Sequence, residues 1–156
     1  MRFLSNKSQR GNAIVEFALV FPVLALITIG IVDLGRYAYF AIGVSNAARA
    51  GAAYGSINNK TVVDNTGMIA AAQADATGLP GSVASPVPTE LCYQWDSTTH
   101  TQTSVSCASS SINGNIIPYA QVTVSGSMQP LIRYPFVPGT IHVSSTAQMR
   151  VQCGSC

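Results

Sequence analysis

The chain has 156 residues, of which 47% are hydrophobic and 9% charged, and its formal net charge is +2. That length allows one membrane helix plus one small domain, and so low a charge content is uncommon in a cytosolic protein. Arg2, Lys7 and Arg10 are three of the eight cations, so the chain beyond residue 11 holds five cations against six acids. A clustered basic face of the kind nucleic acids require is excluded.

Residues 1–11 read as a short polar, basic leader ending in Gly11. Between Ala13 and Val32 the one charged residue is Glu16. A helix over that run is ~30 Å long, the thickness of a bilayer core. A charge inside it costs roughly 2.5–3.5 kcal/mol on insertion scales, so Glu16 needs a partner or a purpose. A secretory signal peptide would be cut after its apolar run. Here the small residue that suits cleavage, Gly11, precedes the run, so the apolar segment would stay in the mature chain. That order is the logic of a prepilin. Leader cations without an acid predict a cytoplasmic N-terminus, with the C-terminal part exported.

The helical pattern continues over 12–55. Pro22 lies inside it and predicts a bend, which membrane helices tolerate. Tyr37 and Tyr39 fall where the helix would leave the bilayer, and Asp33 and Arg36 are spaced to pair on one face. Ala47–Gly55, rich in small residues, suits close helix packing, although Gly51 and Gly55 weaken the helix itself.

Residues 56–156 read as an exported head of α+β class. Ser56–Thr66 is expected as a loop, with Thr66 capping a short helix over Gly67–Ala76 that Gly78 ends. Leu79–Thr89, with Pro80, Pro86 and Pro88, is expected as a connector. Leu91–Trp95, Thr103–Cys107, Ala120–Ser125 and His142–Val151 read as strands of an antiparallel sheet. Asn113-Gly114 signals a turn, and Pro130, Pro135 and Pro138 predict a loop over Gln129–Gly139.

Cys92, Cys107, Cys153 and Cys156 all lie on the side predicted to be exported, where disulfides persist. Four cysteines allow three pairings. Cys92–Cys107 with Cys153–Cys156 is the simplest, and cross-pairing stays open. The Cys-Gly-Ser-Cys tail ends the chain rather than opening a helix, which favours a structural disulfide over a redox motif or half a metal site. His100 and His142 have no carboxylate or cysteine at ligand spacing. Ser104–Ser111 lacks a nucleophile elbow. Neither a cofactor, a metal nor an enzymatic activity is expected.

Arg10-Gly11-Asn12-Ala13-Ile14-Val15-Glu16-Phe17, Gly30-Ile31-Val32-Asp33-Leu34-Gly35-Arg36 and Asn46-Ala47-Ala48-Arg49-Ala50-Gly51 together resemble the TadE-like family, pseudopilins of the tight-adherence (Flp-type) pilus system. A weaker likeness to the family's closing strands appears at Val122–Val124, Tyr134-Pro135 and Ile141–Arg150. The resemblance implies a single-pass protein of the bacterial inner membrane with a periplasmic or extracellular head. It implies cleavage between Gly11 and Asn12 by a prepilin peptidase, which makes Glu16 the acid that pilin-like proteins carry near the mature N-terminus. Other pilins and the pilus assembly machinery are the implied partners. The competing reading is a plain signal-anchored binding domain whose Ser/Thr-rich head recognises a ligand or surface. Such an anchor gains nothing from Glu16 and retains its leader.

Overall fold

The computed structural model describes residues 9–96, 98–107, 116–132 and 139–152, and of residues 9–12 and 96 the backbone alone. The fold is α+β. Helix α1 spans Gln9–Gly55 and helix α2 spans Asn65–Asp75; the strands are β1 (Ser82–Val83), β2 (Val87–Asp96), β3 (Thr101–Val105), β4 (Ile116–Met128) and β5 (Ile141–Arg150). The described helix begins three residues before Asn12, so the backbone is helical through Gly11. Two structural units, residues 1–37 and 38–156, meet within α1.

In the first unit the described apolar side chains face outward: Ile14, Phe17, Leu19, Phe21, Leu24 and Leu26 are all more than half exposed. The most apolar 18-residue window of α1 has a mean hydropathy of 2.5 and buries none of its residues. A helix that is apolar all round and packs nothing of its own is soluble only in lipid, so this segment suits a single-pass membrane anchor. Arg36 Nη1 lies 3.3 Å from Asp33 Oδ1, as their spacing predicts.

The second unit is one antiparallel sheet with helices on one face. β4 is its centre. On one side β4 pairs with β5 from Tyr119↔Arg150 to Met128↔Ile141, without interruption. On the other it pairs with β2 (Val87↔Thr123 to Gln94↔Ile116) and, further along, with β1 (Ser82↔Ser127). β3 pairs with the far half of β2, Cys92↔Val105 to Asp96↔Thr101. Strand alternation then assigns the faces. Pro118, Ala120, Val122, Val124, Gly126 and Met128 of β4 are buried.

What covers that face is the C-terminal part of α1 together with α2. Phe40, Val44, Ala47, Ala48 and Ala52 of α1 are fully buried, as are Met68 and Ala72 of α2. A Cβ added to Gly51 would lie 3.0 Å from the Met68 carbonyl oxygen and 3.1 Å from both Ala72 Cβ and Val122 Cγ1. A side chain there would need these neighbours to give way. The Phe40 ring in turn occupies the space that side chains at Gly81 and Gly126 would need, which accounts for a glycine inside β4.

Four expectations are corrected. Helix α2 covers Asn65–Asp75 and its cap is Asp64, not Thr66: the carboxylate accepts the Gly67 N–H, which Thr66 is too close in sequence to reach. Gly78 has φ +82°, but the residue that closes the helix is Ala76. The proline-rich connector Leu79–Thr89 contains β1 and the start of β2. Pro88 is tolerated because β2 bonds to β4 through Val87, Thr89 and Leu91. Its missing N–H faces a side where β3 has not yet begun. Finally, β4 and β2 extend several residues beyond the expected strands. Asn113-Gly114 and most of the expected Gln129–Gly139 loop lie outside the described residues.

Candidate functional site

Gly11, Asn12 and Glu16, the residues read as a processing and assembly site, all lie on α1. Of Gly11 and Asn12 only the helical backbone is described. Glu16 stands on the exposed surface of the helix, outside any hydrogen bond or ion pair among the described residues. Positions 12 and 16 are one helical turn apart, so an amine created at Asn12 would lie on the same face as the Glu16 carboxylate. Thr28 Oγ1 donates to the Leu24 carbonyl at 2.8 Å, so the helix satisfies this hydroxyl internally, as an apolar surrounding demands.

In the second unit Cys92 and Cys107 are joined by a disulfide. It ties the end of β3 back to β2, two residues beyond the Cys92↔Val105 pair. Glu90 stands beside it, its carboxylate within 4.8 Å of both sulfurs. Sulfurs spent in a disulfide are not thiolates and offer no metal site. Cys153 and Cys156 lie outside the described residues.

The junction of α1 and α2 is organised by Asp64. Its Oδ1 accepts the Gly67 N–H at 3.0 Å and its Oδ2 accepts the Tyr54 hydroxyl at 2.8 Å. These two donors, the Gly67 amide first, hold the Asp64 carboxyl below its ordinary range; the same hydrogen bond raises the Tyr54 phenol. Asn58 Oδ1 accepts from the Lys60 and Thr61 amides, and Thr61 Oγ1 donates to the Asn58 carbonyl at 2.9 Å with the Gly55 carbonyl 3.3 Å away, so the loop folds back on itself at the end of α1. Sequence reading passed over Asp64 and Tyr54. The signal available was an acid three residues before a glycine at a helix start.

A shallow cleft of about 330 Å³ lies where β1, β4 and β5 meet, lined by Ser82, Ser125, Ser127, Ser144 and His142 among others. Its lining holds hydroxyls and an imidazole but no carboxylate. His100, with φ +53°, ends the β2–β3 turn and lies 6.2 Å from the Trp95 ring.

Residues 11–53 match the family model described as TadE-like protein. The chain carries a TadE-like N-terminal segment. No curated protein and no solved structure matches the chain. The TadE-like match supports a role related to the tight-adherence pilus, in association with its assembly components and with the membrane. It starts at Gly11 and spans both the exposed apolar part of α1 and its buried small-residue part, ending two residues before the helix does.

Proposed function

We propose that this chain is a TadE-like minor pseudopilin acting in the assembly of tight-adherence pili. A prepilin peptidase cuts it between Gly11 and Asn12, leaving an inner-membrane anchor with its N-terminus cytoplasmic and its head exported. The observation that carries the reading is the TadE-like match over 11–53, with Gly11 at its start and an acid, Glu16, one turn beyond Asn12. After cleavage the Asn12 amine and a Glu16 carboxylate, on the same or a neighbouring subunit, neutralise one another in low dielectric. The inserted charge becomes an assembly contact. Losing one partner of such a buried pair typically costs roughly 3–5 kcal/mol.

N-terminal sequencing and intact mass of protein extracted from membranes test the processing step. The expected mature chain begins at Asn12, and Gly11→Leu accumulates uncut precursor. A mature chain that still begins at Met1 removes the reading. Glu16→Ala separates pairing from mere anchoring: the variant is expected to insert yet fail in pilus production, whereas normal piliation would identify a plain anchor.

A further inference from the structure

The two edges of the sheet differ in how they are finished. On the β3 side the edge strand is 5 residues long, and the part of β2 beyond its reach holds Pro88 with no donor to offer. Both are devices that blunt an edge against further pairing. On the β5 side the edge strand is 10 residues long, in continuous register with β4, and contains neither a proline nor a lysine. Among the described residues β5 pairs with β4 alone.

Which backbone groups that edge offers follows from two hydrogen bonds. The Val151 amide donates to the Pro118 carbonyl, and the Ala84 amide donates to the Ser125 carbonyl. Even-numbered β4 residues therefore bond toward β5 and odd-numbered ones toward β1 and β2. By the alternation of an antiparallel ladder, the odd residues of β5 face β4. The N–H and C=O groups of His142, Ser144, Thr146, Gln148 and Arg150 point away from the sheet.

We propose that this edge pairs with the same edge of a second copy of the chain, antiparallel and two-fold about Thr146. Thr146 then opposes its own copy, Ser144 opposes Gln148, and His142 opposes Arg150. These are the residues whose backbone groups are outward, so each of these pairs is a hydrogen-bonded one, and the odd-numbered residues between them form the non-hydrogen-bonded rungs. Arg150, the one Lys/Arg/Asp/Glu residue of β5, never meets itself, and hydroxyls face hydroxyl or amide. The contact is isologous and closes as a dimer.

Cysteine cross-linking of the full-length chain in membranes, under mild oxidation, tests this register. Hydrogen-bonded partners lie ~5.5 Å apart at Cα, within disulfide range, whereas residues four positions out of register are ~13 Å apart along the strand. Thr146→Cys should therefore form dimer at least about tenfold faster than the equally exposed Gln148→Cys, and Ser144→Cys combined with Gln148→Cys should restore it. Thr146→Pro, which removes an outward N–H and no backbone bond to β4, though it loses the hydroxyl contact with Thr123, should abolish cross-linking in that double variant while leaving the Cys92–Cys107 disulfide formed. Equal rates for Thr146→Cys and Gln148→Cys, absence of dimer from both, or indifference to Thr146→Pro would each overturn the pairing.

Discussion

Helix α1 contains two stretches that are opposite in use. Residues 13–37 carry large apolar side chains directed outward all round, and nothing in their own unit covers them. Residues 38–55 run from large to small: Phe40, whose ring lies beside Gly126 of β4, and Val44 are fully buried, then Ala47, Ala48, Gly51, Ala52 and Gly55 let α2 and β4 approach. The difference teaches that side-chain volume at helical spacing, as well as apolarity, separates a lipid-facing helix from a protein-facing one. Lipid fills any shape, but a packed sheet admits one.

The sharpest way to break this comparison is to remove a large side chain from each stretch. Phe40 is fully buried whereas Phe17 is 64% exposed. Phe40→Ala should destabilise the second unit by about 3–5 kcal/mol, and Phe17→Ala should leave it unchanged. Urea unfolding of detergent-solubilised protein, followed by fluorescence of Trp95, the single tryptophan, checks both.

Adding volume sharpens the same contrast with a smaller effect. Gly51→Leu forces side-chain atoms into the Met68 carbonyl, Ala72 and Val122, and should cost about 1–3 kcal/mol by overpacking. A Cβ at Gly30 meets nothing within 4 Å, so Gly30→Leu should leave the urea midpoint where it is. Equal midpoints for the two variants would remove the distinction between the stretches.

The smallest effect concerns the junction where the small-residue stretch ends. The folded state depresses the Asp64 pKa, so its contribution to stability is present above the unfolded carboxylate range and is lost as pH falls through the lower folded value. Tyr54 is raised, so its contribution is present below its ordinary value of 10.0 and lost as pH rises beyond it. Between those limits stability should be flat with respect to this pair. Tyr54→Phe should lift the folded Asp64 pKa toward normal while the Gly67 hydrogen bond keeps part of the depression. NMR titration of the Asp64 carboxyl measures both.

The chain by itself determined the long apolar helix, because a run from Ala13 to Val32 interrupted only by Glu16 has one stable environment. It also determined the antiparallel strands around Ala120–Ser125 and Ile141–Ser144, whose alternation demands a covered and an open face. The short-loop pairing of Cys92 with Cys107 was the simplest of three and is the one the sheet makes, since β2 and β3 are adjacent. Tertiary structure alone decided the rest. Pro88 joined a strand because its blank side met no neighbour, a fact about register that no local window contains. Asp64 displaced Thr66 as cap because its reach to Gly67 and its bond to Tyr54 reinforce one another across two helices. The free edge of β5 became visible only once strand order was known, because which backbone groups are left over depends on every pairing made before it.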